Sequence, residues 1–191
     1  MRLSKTLILA SNSPRRKEIM SNAGFEFTVK VKPTDEHFSD TMPVEEVPIY
    51  LAKTKADCFT DELNDEIILC ADTVVIINNQ ILNKPADAAE AKAMLRLLSN
   101  QTHRVITGVC VMTKDETITF SDTALVTFKK LTDWEIDYYI ETCRPFDKAG
   151  SYGVQDFIGM IGIPRMEGSF YTVMGLPIHR VYEHLEKYII R

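Results

Sequence analysis

Thr6-Leu7-Ile8-Leu9-Ala10-Ser11-Asn12-Ser13-Pro14-Arg15-Arg16 sets a strand, a turn and the start of a helix in immediate succession. The apolar run 6–10 reads as a buried strand. Ser13 is placed as a helix N-cap, with Pro14 at the first helical position, where its missing N–H costs nothing. The helix then runs to about 23 and stops at Gly24. Outward from this unit, 25–32 reads as a second strand with Phe27, Val29 and Val31 on one face. A polar loop carrying Asp35, Glu36 and His37 leads to a helix over roughly 45–63, where Pro48 fits only in the first turn. The near-continuous apolar run 67–71 has the pattern of a strand covered on both faces. Segments 73–77 and 80–82 form a hairpin around Asn78-Asn79.

Asp87 caps a helix whose stripe is Ala91, Met94, Leu95 and Leu98. Two long strands follow at 104–112 and 117–128, and Thr132-Asp133-Trp134-Glu135 is a capping box opening a helix to about 141. Residues 150–168 are glycine-rich with no sustained helical period, and a closing helix over 178–190 places Val181, Tyr182, Leu185 and Ile189 on one side. No repeat or linker interrupts the pattern. The sum is a single α/β domain, 1–191, on a largely mixed sheet flanked by helices.

The chain has 191 residues, enough for one sizeable core, and its 45% hydrophobic and 26% charged content is that of an ordinary globular protein. A net charge of −5 argues against a general nucleic-acid coat, although a cleft that concentrates cations still binds an anion. No apolar run reaches the ~18 residues of a membrane span. The run ending at Ala10 is strand-sized and meets Pro14-Arg15-Arg16 at once, so it does not read as a signal peptide; a cytoplasmic location is the expectation. Cys58, Cys70, Cys110 and Cys143 form no CxxC pair, and Cys70 and Cys110 sit in apolar runs as buried thiols would. His179 and His184 are five apart and share no helical face, so the histidines suggest no metal cluster.

Chemistry concentrates in a few places. The 11–16 segment offers a hydroxyl, outward backbone amides and two guanidinium forks suited to phosphate oxygens. The bland alternative is a capped helix with two solvated arginines, but cations at a helix N-terminus need a reason. Asp72 follows the apolar run and would fall at a strand's carboxyl end, where open α/β sheets bind ligands; it could equally cap a turn. Lys84, before Pro85, and Lys53 and Lys55 on the second helix are mobile point charges that suit a triphosphate, or solvated surface lysines. Glu36, beside Asp35, offers a second carboxylate to a hard cation such as Mg²⁺. In the loop 147–155, Gln155 has paired donor and acceptor groups that suit a base edge, while Gly150 and Gly153 suit special backbone angles. No GxxxxGK[ST] or GxGxxG occurs.

In this order the segments resemble the Maf family of nucleotide pyrophosphatases. The resemblance is carried by 9–16, Asp35-Glu36, 51–56, Ala71-Asp72-Thr73-Val74-Val75, Lys84-Pro85, 98–103, 147–155, Gly168-Ser169 and Gly175-Leu176-Pro177. It implies an elongated α/β fold with two lobes around a cleft, related to the inosine-triphosphate pyrophosphatases. It also implies hydrolysis of a nucleoside triphosphate between its α- and β-phosphates, with a divalent cation, Mg²⁺ or Mn²⁺. Asp72 matches the family's proposed proton acceptor, and Ser11, Arg16, Glu36, Lys55 and Lys84 match further active-site positions. Glu36 and Asp72 are the implied metal ligands. Arg15, Thr73 and Gln155 match positions tied to base choice and resemble the branch acting on dTTP and UTP. The sister branch, which acts on 7-methyl-GTP, carries tryptophan in place of the first arginine. Two departures lie beside the motifs: Asn100 replaces a common glycine, and Thr142-Cys143-Arg144 stands where a small residue and an acid precede the proline.

A competing reading is a nucleotide-sensing regulator of septum formation acting through a partner; the set of Asp72, Glu36 and Lys84 favours turnover, since sensing requires no water-activating carboxylate. A nucleic-acid binder using Arg15-Arg16 lacks spaced basic and aromatic strips. An apolar strip with Trp134 and Tyr138 or Tyr139 suits either a homodimer or, more simply, core packing.

Overall fold

The computed structural model describes residues 1–191. Its first elements are β1 (Thr6–Leu9) and α1 (Pro14–Asn22). Ser13 holds the N-cap position but its side chain makes no capping bond; its backbone N–H instead donates to Ser11 Oγ at 3.2 Å. After α1, Gly24 adopts φ +79°, a left-handed turn that favours glycine. The strand expected over 25–32 shrinks to β2 (Thr28–Val29), which pairs parallel with β1 over Ile8 and Leu9. The alternation there is real in sequence but is not buried: Val29 and Val31 remain exposed while Phe25 turns into the core.

Next come α2 (Val47–Asp57), with Pro48 in its first turn, and a 3₁₀ turn at Thr60–Glu62, so the helix ends short of the expected 63. β3 (Glu66–Ile77) corrects the expectation of a strand ending before Asp72, because it runs unbroken through Asp72 and Thr73. Every residue from Ile67 to Ala71 and from Val74 to Ile77 is buried, and the two polar residues between them are half-buried, so burial on either side carries the strand across them. Asn78 and Asn79, at φ +50° and +61°, turn β3 into β4 (Gln80–Leu82) as a primed hairpin turn requires.

The expected capping of α3 (Ala88–Leu98) is present, with Asp87 Oδ1 accepting from the Glu90 N–H at 2.8 Å. β5 (Thr102–Met112) and β6 (Thr117–Thr127) are the two long strands. α4 (Asp133–Cys143) opens on a complete capping box of Thr132 and Glu135. The glycine-rich stretch holds elements its sequence did not announce: α5 (Phe157–Gly162) and β7 (Arg165–Glu167). α6 (Phe170–Met174) follows, then α7 (Ile178–Leu185) and a 3₁₀ turn at Glu186–Tyr188. Val181 and Leu185 are buried as expected on α7, whereas Tyr182 is exposed.

Hydrogen bonding orders the strands β2-β1-β3-β5-β6-β7, with β4 paired to β3. β1 pairs parallel with β2 and β3, whereas β3–β4 and β6–β7 are antiparallel, so the sheet is mixed. The chain divides into two compact units: Met1–Asp72, Thr107–Asp122 and Gly175–Arg191 in the first, Thr73–Ile106 and Thr123–Met174 in the second. In the first, Ala52, Ala56 and Phe59 of and after α2 pack on Ile68, Cys70, Cys110 and Met112. Gly108 makes that approach possible, because a Cβ there would lie 2.2 Å from the Pro48 carbonyl carbon. In the second, α3 and α4 pack with Val105, Val126, Phe128 and Tyr152. No helix is long and apolar enough to cross a membrane.

Candidate active site

The first unit gathers most of the charged residues singled out in the sequence. Ser11 leaves β1 almost fully buried, and its Oγ accepts from both the Ser13 N–H and Arg16 Nη1, the latter at 3.3 Å. Arg16 Nε donates to the Gly175 carbonyl at 2.8 Å. Two tethers on different nitrogens thus fix the plane of this guanidinium. Its burial pulls the Arg16 pKa down from the ordinary value, and the Asp72 carboxylate opposes that pull. Asp72, Glu36 and Arg15 all act electrostatically on Arg16, which places these charges in one neighbourhood.

Lys55 lies at the C-terminal end of α2, where a cation suits the helix dipole. Its Nζ lies 2.5 Å from Asp72 Oδ1 and 2.9 Å from Glu36 Oε1. Lys55 and Asp72 are mostly buried, whereas Glu36 is exposed. Lys53, read with Lys55 as a candidate, turns away and pairs with Asp57 at 2.6 Å across one helical turn. Asp35 is likewise local, accepting from the His37 N–H at 3.0 Å. Cys70, two residues before Asp72, is no rival nucleophile, because burial pushes its thiol pKa far up; that of Cys110 is raised to about 12 by the same cause. All four cysteines are free thiols, and the structure contains no group of three or more His, Cys, Asp or Glu side chains poised as a metal cage.

The second unit carries Thr73, Lys84 and Gln155. Thr73 is the half-buried residue after Asp72 on β3. Lys84 is exposed, between Asn83 and a buried Pro85. The Asn83 carbonyl accepts from the Gly150 N–H at 3.2 Å, which ties the Lys84 segment to the 147–155 loop. Gly150 has φ +67° and no room for a Cβ against Val75, as the loop reading required. Gly153 differs from expectation: its backbone is not left-handed, and it is needed because a Cβ would lie 2.4 Å from Asp156 Oδ2. Gln155 is half-buried, and its Oε1 is buried without a hydrogen-bond partner.

Three residues named or quoted in the sequence make contacts that the sequence reading did not give. The Gly175 carbonyl that holds Arg16 is presented by a residue at φ +107°; the motif Gly175-Leu176-Pro177 was visible but its carbonyl was not. Tyr139 is wholly buried, which settles it as core, while Trp134 and Tyr138 stack on each other at the surface. His103 is buried with Nε2 at 2.7 Å from Tyr152 Oη, and burial lowers its pKa to about 4.

Comparison with known proteins agrees with the resemblance read from the motifs. The family described as Maf-like protein matches residues 6–188. A protein of Porphyromonas gingivalis named dTTP/UTP pyrophosphatase is 48% identical over 186 residues, spanning 95% of this chain and 94% of its own. One of the same name from Parabacteroides distasonis is 45% identical over 184 residues, spanning 95% of both. Another from Flavobacterium psychrophilum is 48% identical over 180 residues, spanning 94% of this chain and 92% of its own. Among solved structures, the Ham1 protein of Staphylococcus aureus aligns with TM-score 0.45 and 16% identity, over 65% of this chain and 72% of that one.

Proposed function

The chain belongs to the Maf family, and from that footing we propose that it is a nucleoside triphosphate pyrophosphatase converting dTTP and UTP to their monophosphates and pyrophosphate. Relatives at 43–49% identity along nearly the whole chain carry that activity in their names. The observation that carries the chemistry is the bridge of Lys55 between the Asp72 and Glu36 carboxylates, in the neighbourhood of the tethered Arg16. The chain works as one domain over 1–191, and a cytoplasmic location suits its substrates and its four free thiols.

In the reaction, water attacks the α-phosphorus, the bond to the α–β bridging oxygen breaks, and pyrophosphate leaves with the electron pair. Asp72 Oδ1 is engaged by Lys55, so Oδ2 is the oxygen that takes the water's proton. Lys55 holds that carboxylate in place and lends positive charge. Arg16, its plane fixed by Gly175 and Ser11, meets the phosphate oxygens on which charge develops. Ser11 and Lys84 add a hydroxyl and a mobile cation to phosphate binding. Arg15, Thr73 and Gln155 act in base choice. The buried, unpaired Gln155 Oε1 costs on the order of 1–3 kcal/mol, and a turn of the amide toward a pyrimidine edge recovers it.

The donor set fits a hard divalent cation. Glu36 and Asp72 offer two carboxylates converging on one point, and Mg²⁺ takes few protein oxygens and keeps several waters. When bound, Mg²⁺ or Mn²⁺ supplies charge neutralisation to the phosphates.

The test is pyrophosphate release from a triphosphate panel with Mg²⁺, comparing the native protein with Asp72→Asn. Release from dTTP and UTP is expected, falling by about 10²–10⁴-fold in a folded Asp72→Asn variant. Preference for 7-methyl-GTP would reject the assignment of Arg15, Thr73 and Gln155. Nucleotide binding without release would overturn the enzymatic reading.

A further inference from the structure

The loop that carries Gln155 is held by an interaction absent from every motif. Residues 153–156 form a tight turn in which the Asp156 N–H donates to the Gly153 carbonyl at 3.1 Å. From below, the Tyr139 hydroxyl reaches both ends of that turn. It accepts from the Gly153 N–H at 3.0 Å and donates to Asp156 Oδ2 at 2.8 Å. One buried oxygen on the rigid helix α4 therefore clamps the residues two before and one after Gln155. The clamp is packed as well as bonded, since the Asp156 carboxylate leaves no space for a Cβ on Gly153. Lys148, paired with Asp147 at 2.9 Å, also stands 3.6 Å from the same carboxylate oxygen.

We propose that Tyr139 is a positioning residue for Gln155 and, through it, sets the preference for uracil and thymine over cytosine. The proposal rests on the assignment of Gln155 to base choice. Uracil and thymine present an N3–H donor beside a carbonyl, whereas cytosine presents a bare N3 beside an amino donor. A carboxamide can serve either edge by rotating half a turn, so a glutamine discriminates only if the protein biases that rotation. Here the backbone of Gln155 is pinned while its Oε1 is left buried and unpaired. An amide pinned in one orientation meets donor and acceptor in one order only. N3–H beside the carbonyl of uracil and thymine gives Oε1 a donor and the amide nitrogen an acceptor, whereas cytosine presents the two reversed. With the turn unpinned, Gln155 relaxes until its amide finds partners in protein or water, and the bias disappears. Burial keeps the Tyr139 phenol protonated by raising its pKa, so the hydroxyl donates to Asp156 at any working pH.

Tyr139→Phe keeps the ring in the core and removes both bonds. Steady-state kinetics with dTTP, UTP and CTP should show KM for dTTP and UTP rising about tenfold with kcat within about twofold. The dTTP-to-CTP ratio of kcat/KM should fall by a similar factor. Asp156→Asn retains an acceptor for Tyr139 and should keep the native ratio. Asp156→Ala should repeat the Tyr139→Phe result, and it stands in if Tyr139→Phe fails to fold by circular dichroism. A merely structural role for Tyr139 would lower stability and leave the ratio unchanged, and that result overturns the proposal. Calorimetric binding of dTTP and CTP separates this from the activity itself. A native protein that binds with discrimination but does not turn over, and loses the discrimination in Tyr139→Phe, sustains the clamp and rejects the pyrophosphatase. A native protein that turns over dTTP with an unchanged ratio in both variants does the reverse. A native protein that discriminates in neither assay overturns both.

Discussion

Arg16 shows what one side chain owes to its tethers. A guanidinium on a free stem samples many orientations, but here Nε is bonded to the Gly175 carbonyl and Nη1 to Ser11 Oγ. A lysine carries the same charge without the planar fork. Arg16→Lys should therefore lower kcat/KM for dTTP by about 10–100-fold in pyrophosphate-release assays. His103 is the opposite case, a titratable group kept neutral. It stacks on Phe128, bonds Tyr152 through Nε2, and has a buried Nδ1 without a partner. Burial sets its pKa near 4 against an ordinary 6.5. Between those values the unfolded chain holds a proton that the native state refuses, so stability falls as pH drops from about 6.5 to about 4. The contribution is present in full above 6.5 and amounts to about 3 kcal/mol. Urea unfolding at pH 7 and pH 4 should show that part of the pH slope missing from His103→Phe.

At the scale of elements, α2 depends on a residue far from it in sequence. The backbone of Pro48 sits where a Gly108 Cβ would be, so Gly108→Ala must push α2 away from β5. α2 also carries Lys55, and displacement of the helix moves the ammonium off Asp72 and Glu36. The expected outcome is a thermal midpoint lower by more than about 5 °C, with pyrophosphate release impaired even well below it. A variant of normal midpoint and normal rate would show that the contact is slack.

Elements with their own punctuation were legible: the Asn78-Asn79 hairpin, α3 behind Asp87, and α4 behind its capping box. Each is specified by local chemistry. What escaped depends on tertiary burial. The Phe27, Val29, Val31 alternation promised a strand whose two valines stay exposed, and β3 passes through Asp72 because flanking burial outweighs two polar residues. The candidate site divides the same way. The residue types of Ser11, Arg16, Glu36, Lys55 and Asp72 were readable from motif order. The resemblance named Lys55 and not Lys53, but the contacts Lys55 makes with the carboxylates rest on the rotation of α2, and those of the Tyr139 hydroxyl on a loop whose path no periodicity encodes.

For the whole molecule, the Lys55 bridge makes stability independent of the divalent cation proposed for turnover. A pair of carboxylates built only for a cation repels when the cation is removed, and proteins that fold around such pairs unfold in chelator. In this chain the Asp72 and Glu36 carboxylates share the Lys55 ammonium instead, and the cores of both units are built from largely apolar side chains. Removal of divalent cations should therefore stop turnover and leave the fold intact. Excess EDTA is expected to abolish pyrophosphate release, recoverable by Mg²⁺ or Mn²⁺, while the thermal midpoint shifts by less than about 1 °C. Lys55→Met should invert the second half of the result: with the ammonium gone, added Mg²⁺ takes over its charge between the two carboxylates and should raise the midpoint measurably. A native midpoint that collapses in EDTA would mean that the two carboxylates rely on a metal for folding, and the ammonium bridge would then not be what holds them.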